Sequence, residues 1–188
     1  MEDEIDDWFK AKEDSKAEYI YDDCLKAKED ARVEGVNEGG SISMYALNGS
    51  ANNDTLKILG QLKKRKITIL IDSGSTHSFI DEGTTSQLGC VLKETMPMGV
   101  TIAGGGRIFS RFLCTNLAWK IQSHDFLLDF RTIKLGGYDM VLGVDWMTKY
   151  GPVSLDFEAR VMKARLSVSD AEATFEKGKG ALKGKGML

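Results

Sequence analysis

Lys66-Ile67-Thr68-Ile69-Leu70-Ile71-Asp72-Ser73-Gly74-Ser75-Thr76-His77 is the stretch on which the chain turns. Ile67 to Ile71 is an unbroken run of apolar and β-branched residues, which reads as a buried strand. The strand ends on a carboxylate, and Ser73-Gly74 suits a tight turn directly after it. A carboxylate at the mouth of an apolar strand is costly unless something pairs it or uses it. A second stretch, Asp139-Met140-Val141-Leu142-Gly143 followed by Val144-Asp145-Trp146, echoes the first.

Working outward, residues 55–62 form a strand that Lys63-Lys64-Arg65 turns back into 66–71, a β-hairpin delivering Asp72. The basic tip reads as a solvated turn rather than a nucleic-acid contact. Upstream, Ser41 to Leu47 partly alternates and is expected as a strand, with Asn48 to Asp54 a turn-rich loop. Downstream, Phe79 and Ile80 lead into a short helix over 81–88 that Gly89 closes. Pro97 opens a new segment. Val100-Thr101-Ile102 and Arg107-Ile108-Phe109 flank Ala103-Gly104-Gly105-Gly106, a mobile hairpin. Strands are expected over 112–121 and 125–133. A very short apolar strand follows at 140–142, then one or two helical turns over 144–150 that Gly151-Pro152 stops. Val153 to Phe157 and Val161 to Val168 are the last strands. Short strands with two short helices, and no β–long helix–β repeat, indicate a mostly antiparallel β domain.

The 188 residues amount to about one domain, and at 42% hydrophobic and 28% charged they suit a globular core. The net charge of −3 is unevenly spread. Residues 1–38 hold fourteen acids and six bases, and the rest fourteen acids and nineteen bases. The border near Gly39-Gly40 is taken as a domain boundary. Residues 1–40 are then an acidic segment, helical or disordered, serving as a solvated linker, a lone helix or a docking helix. Residues 41–168 are the main domain, and 169–188 a flexible basic Gly/Lys tail from which nucleic-acid contact is not expected. No apolar run approaches a spanning helix and no export signal is visible, so no membrane partner is expected and the cytoplasm is the expected compartment.

Cys24, Cys90 and Cys114 lack paired spacing, which argues against a disulfide scaffold or a zinc site. Ser75, His77 and Asp81 sit too close in sequence for a hydrolase triad, which is assembled from separated segments. His77 and His124 lack metal-site spacing, and Gly104-Gly105-Gly106 is not followed by a P-loop Lys-Ser/Thr. Neither metal nor cofactor is expected.

One chemistry does use a strand-end Asp-Ser-Gly. Two such carboxylates held face to face share one proton and bind a water, one acting as base on it while the other donates to a substrate carbonyl. The Ser73 hydroxyl is placed to hydrogen-bond across the pair, and Gly74 to leave room for substrate backbone.

Ile69-Leu70-Ile71-Asp72-Ser73-Gly74-Ser75-Thr76-His77-Ser78-Phe79-Ile80 resembles the active-site strand and loop of the retropepsins. The likeness is strongest to the aspartic protease domain in the Gag-Pol polyprotein of gypsy-type LTR retrotransposons, as found in plants. It covers about Ser41 to Val168. Val100-Thr101-Ile102-Ala103-Gly104-Gly105-Gly106 stands at the position of the flap, although the family has a polar residue where Gly104 or Gly105 stands. Gly137 to Met147 is similar to the apolar-Leu-Gly strand and following helix. The resemblance implies a mostly β, closed-barrel acid protease fold, one lobe per chain, with the acidic N-terminal helix separate. It implies catalysis by Asp72, an active-site loop of Ser73, Gly74 and Ser75, and a substrate-binding flap of Ile102, Ala103, Gly104, Gly105 and Gly106. Leu142 and Gly143 would support the loop from the neighbouring strand.

With one Asp-Ser-Gly per chain, catalysis needs Asp72 from each of two chains in a C2 homodimer. The expected substrate is a polyprotein or peptide, and the second setting after the cytoplasm is a virus-like particle. A catalytically silent dimerisation or peptide-binding module is the alternative. No reverse transcriptase, RNase H or zinc-knuckle segment lies in these residues, so a fragment, a degenerate copy and a domesticated gene are all open.

Overall fold

The computed structural model describes residues 37–49, 55–166 and 171–176. The expected N-terminal helix, and the tail from 177 onward, lie outside the described residues.

Strands β2 (Leu56–Leu62) and β3 (Arg65–Ile71) form the expected antiparallel hairpin, in register from Leu56 opposite Ile71 to Leu62 opposite Arg65. β3 then pairs in parallel with β8 (Met140–Leu142), and β8 pairs with β4 (Phe79–Asp81). β4 runs parallel to β7 (His124–Ile133), β7 pairs with the long β6 (Arg107–Ile121), and β6 returns to β2. The ring β6-β2-β3-β8-β4-β7 is therefore a closed six-stranded barrel, with few helices around it. Closure removes free edges from these strands. β6 manages two jobs because it is long: its first part pairs with β5 (Lys93–Ile102) as a glycine-tipped hairpin, and its far end pairs with β2 and β7.

β3 is apolar without alternation because both its faces are covered. Ile69 and Ile71 point into the barrel core with Trp119, Phe126, Leu142 and Trp146. Leu70 points the other way, into a second cluster with Phe79, Ile102, Ile133, Tyr138 and Val141. Burying such side chains stabilises the fold by ~1.5–3 kcal/mol each.

Two helices stand where they are expected, the first starting one residue later than 81. Helix α2 (Glu82–Leu88) is capped by the Asp81 side chain on Thr84 N and ends on Gly89 at φ 57°. Helix α3 (Val144–Tyr150) follows Gly143, with Trp146 and Tyr150 buried.

Three elements differ from expectation. The expected strand over 41–47 divides into β1 (Asn37–Ile42) and a helix, α1 (Met44–Asn48). Ser43 breaks the strand by capping α1 through Ala46 N, and Gly49 closes it in the left-handed region, φ 70°. β1 also reaches into the segment read as the acidic terminus, pairing in parallel with β5 from Asn37 opposite Met98 to Ile42 opposite Ile102. Pro97 does not start β5 but lies inside it, where the β5–β6 register shifts between Glu94 and Met98. Finally, β9 (Val153–Asp156), β10 (Val161–Leu166) and β11 (Ala171–Glu176) form a second antiparallel sheet, so part of the range expected as tail is a strand. Ala173 and Phe175 explain it, since both are buried with Met162 in the barrel's core cluster. Among the described residues, no helix is long and apolar enough to cross a membrane.

Candidate active site

Asp72 leaves the end of β3 with its backbone N–H donating to the Leu142 carbonyl at 3.0 Å. That bond continues the β3–β8 pairing by one residue, so the apolar-Leu-Gly stretch fixes where the carboxylate stands. Both carboxylate oxygens are held. Gly74 N donates to Oδ1 at 3.0 Å, and the Ser75 hydroxyl donates to Oδ2 at 2.6 Å. Bonds to a charged acceptor are stronger than neutral ones, and these two set the carboxylate's rotation. Asp72 is half-buried, Ser73 and Gly74 are exposed, and Ser75 is fully buried.

The hydroxyl on this chain's own Asp72 is thus that of Ser75, while Ser73 faces outward. A Cβ on Gly74 would stand 3.1 Å from Asp72 Oδ1 and 3.3 Å from the Ser43 Cβ, so the glycine keeps this side of the carboxylate clear.

Gly143 supports the loop by close approach. A Cβ there would lie 2.4 Å from the His77 carbonyl oxygen and 2.7 Å from that of Ser75. Val144 N donates to Ser75 O at 2.8 Å and Asp145 N to Thr76 O at 3.3 Å. A second set of bonds was not singled out in the sequence. Asp145 accepts from Ser78 N at 2.9 Å and from the Ser78 hydroxyl at 2.5 Å, while Gly143 N donates to that hydroxyl at 3.1 Å. Ser78 and Asp145 lie far apart in sequence, and only the closeness of both to an Asp-Ser-Gly or Leu-Gly motif marked them.

Asp139 has a structural task. Fully buried, it accepts from Thr68 N at 2.8 Å and from the Thr84 hydroxyl at 2.7 Å, and the Arg65 guanidinium lies 3.9 Å away.

The residues expected as a flap, Ile102 to Gly106, stand together at the β5–β6 turn. Ile102 N donates to Gly106 O at 2.8 Å and Gly105 N to Ile102 O at 3.0 Å, closing it tightly. Gly104 and Gly105 have φ of 111° and 95°, which other residues rarely adopt. Ala103, Gly104 and Gly105 are exposed, and Ile102 is buried in the second apolar cluster.

The turn and the Asp72 loop are bridged by β1 and by Ser43, the cap of α1. Thr76 N donates to Ser41 O at 3.0 Å and Ser41 N to the Thr76 hydroxyl at 2.9 Å. Ser43 N donates to Ser75 Oγ at 3.4 Å, and Ala103 N to Ile42 O at 3.1 Å.

A closed barrel carrying a strand-end Asp-Ser-Gly, with a glycine hairpin between β5 and β6, defines a retropepsin-like aspartic protease fold. Residues 42–168 match the family described as retroviral aspartyl protease, and the chain belongs to that family. Among solved structures, the retroviral protease-like domain of Ddi1 from Leishmania major aligns with a TM-score of 0.49 and 15% identity, over 58% of this chain and 87% of that one. A search of curated proteins returned no match.

Proposed function

We propose that this chain is an aspartic endopeptidase of gypsy-type retrotransposon origin that cuts a polyprotein as a homodimer. The observation that carries the reading is the anchoring of Asp72: both carboxylate oxygens are fixed by loop donors while the side chain stays half-exposed. The domain is taken as residues 41–168 extended by β1 from Asn37 and by β11 to Glu176, both of which pair with its strands. The setting is the cytoplasm or a virus-like particle.

Each chain supplies one Asp-Ser-Gly, so the second carboxylate is Asp72 of a second copy about a two-fold axis. The pair holds one proton and a water. The unprotonated carboxylate takes a proton from that water as its oxygen bonds to the scissile carbonyl carbon, and the protonated one gives its proton to the carbonyl oxygen. The tetrahedral intermediate collapses by breaking the C–N bond, and the nitrogen leaves with a proton returned by the pair. The flap, Ile102 to Gly106, closes over the peptide and excludes solvent. Leu142 and Gly143 hold the loop in position.

The test is cleavage of a peptide library between pH 3 and 7 by wild type and Asp72→Asn, with pepstatin as a third arm. Expected is activity highest in acid, inhibited by pepstatin, and reduced at least ~10³-fold in the variant, equivalent to ~4 kcal/mol of transition-state stabilisation. Unchanged cleavage by folded Asp72→Asn would remove Asp72 from the mechanism. No cleavage by dimeric wild type would favour the silent peptide-binding module.

A further inference from the structure

An extended peptide entering an aspartic protease cleft pairs its backbone with sheet-like edges and places side chains in apolar pockets. Here the edge of β5 not paired with β6 is covered by β1. At the Asp72 loop, Thr76 N and the Thr76 hydroxyl are committed to Ser41, and Ser75 Oγ accepts from Ser43 N. On the flap side, Ala103 N is committed to Ile42 O. The apolar surface between the catalytic strand and the flap includes Leu70, Phe79, Ile102 and Val141. It is covered by Ile42, Ala46 and Leu47, each no more than 2% exposed. Backbone donors, sheet edge and apolar floor are therefore all taken by one stretch of the chain itself.

We infer that residues 37–48 are a built-in occupant of the peptide cleft, and that substrate binds only when this segment is displaced. The inference rests on the functional reading above for the location of the cleft. The segment also indicates the class of peptide the cleft accepts. That peptide is extended, with small residues (Gly39, Gly40, Ser41) leading to an aliphatic side chain at the place of Ile42. A site whose open state is a minor population binds more weakly in proportion to that population, so loosening the segment raises affinity.

The probe is a fluorescent synthetic peptide copying residues 37–48, titrated into the full chain carrying Asp72→Asn so that binding is read without cleavage. Ile42→Asp places a carboxylate in the apolar floor and drives the segment out. Ser41→Pro removes the N–H that the Thr76 hydroxyl accepts and is the milder change. Circular dichroism checks that each variant is folded. Expected is probe affinity at least ~10-fold higher in either folded variant than in the parent. Equal affinity in the parent and a folded variant overturns the inference.

Amide exchange on the unsubstituted full chain needs no variant to fold. Thr76 and Ala103 N–H are expected to be protected, and exchange of both at unprotected rates overturns the inference equally. Tighter probe binding without cleavage by any active-site-intact variant would uphold the occupant while overturning the catalytic reading.

Discussion

Cys114 lies buried on β6, and Cys90, just past the end of α2, packs partly buried against the same core. Burial pushes the Cys114 thiol up to about 11, and the neighbouring Cys90 thiol adds to the effect by charge and hydrogen bonding. A raised thiol pKa leaves less thiolate at any pH below it, and the thiolate is the nucleophile. Near neutral pH, Cys114 therefore carries about 100-fold less thiolate than a cysteine of ordinary acidity. In folded protein treated with iodoacetamide and read by mass spectrometry, Cys90 should label before Cys114. The Cys114 rate should keep climbing about tenfold per pH unit beyond pH 9; a plateau near pH 8.5 would contradict it. At this scale the sequence was legible for the place of Asp72 directly after its strand, because the unbroken apolar run stops at it. It was not legible for the division of work between Ser73 and Ser75. Both hydroxyls follow Asp72 closely, and only the folded turn shows that Ser75 points inward to Oδ2 while Ser73 faces solvent.

The junction of β8 and α3 shows how one element holds another. A methyl group at Gly143 would meet the carbonyls of Ser75 and His77, which are backbone atoms and cannot swing aside. Gly143→Ala must therefore push β8 away from the Asp72 loop, straining the bonds Asp72 N to Leu142 O and Val144 N to Ser75 O. The expected cost is ~1–3 kcal/mol of stability, seen as a lower urea midpoint with an unchanged m-value. A midpoint equal to wild type would show that the approach is looser than these distances. The echo of the Asp72 stretch at 139–146 was readable in the sequence, but its pairing with the Asp72 strand came from the family resemblance, and β3 and β8 do pair. The fate of residues 41–47 was not readable. Two apolar periods overlap there, and five residues of helix are too few for a 3.6-residue repeat to stand out. The signals that decide it are the Ser43 cap and the closing Gly49, both present in the sequence.

At the scale of the whole molecule, hairpins between neighbours could be read from local patterning, whereas barrel closure came only from the family resemblance, which the ring of strands bears out. The parallel pairings β1–β5, β3–β8 and β4–β7 join residues that local patterning does not relate, and closure depends on β6 being long enough to serve two sets of partners. The oligomeric state belongs to this scale too. Around the Asp72 loop, Met44, Tyr45 and Val144 leave substantial apolar side chain exposed. Met44 and Tyr45 lie one and two residues from Ser43, which bonds to the loop, and Val144 bonds to it through its own backbone. A second copy brought in about a two-fold axis to complete the carboxylate pair would cover this rim. If association supplies part of the stability, mass action makes the melting temperature depend on concentration. Each tenfold increase in protein then adds ~1.4 kcal/mol per dimer, equivalent to about 2–3 °C for chains of this size. Melting the full chain across a hundredfold concentration range should therefore raise Tm by roughly 5 °C. Asp72→Asn should show the same slope, because its side chain keeps the shape of the interface while losing the chemistry. A Tm independent of concentration in both proteins would argue against an obligate dimer, and with it against a pair built from two Asp72 side chains.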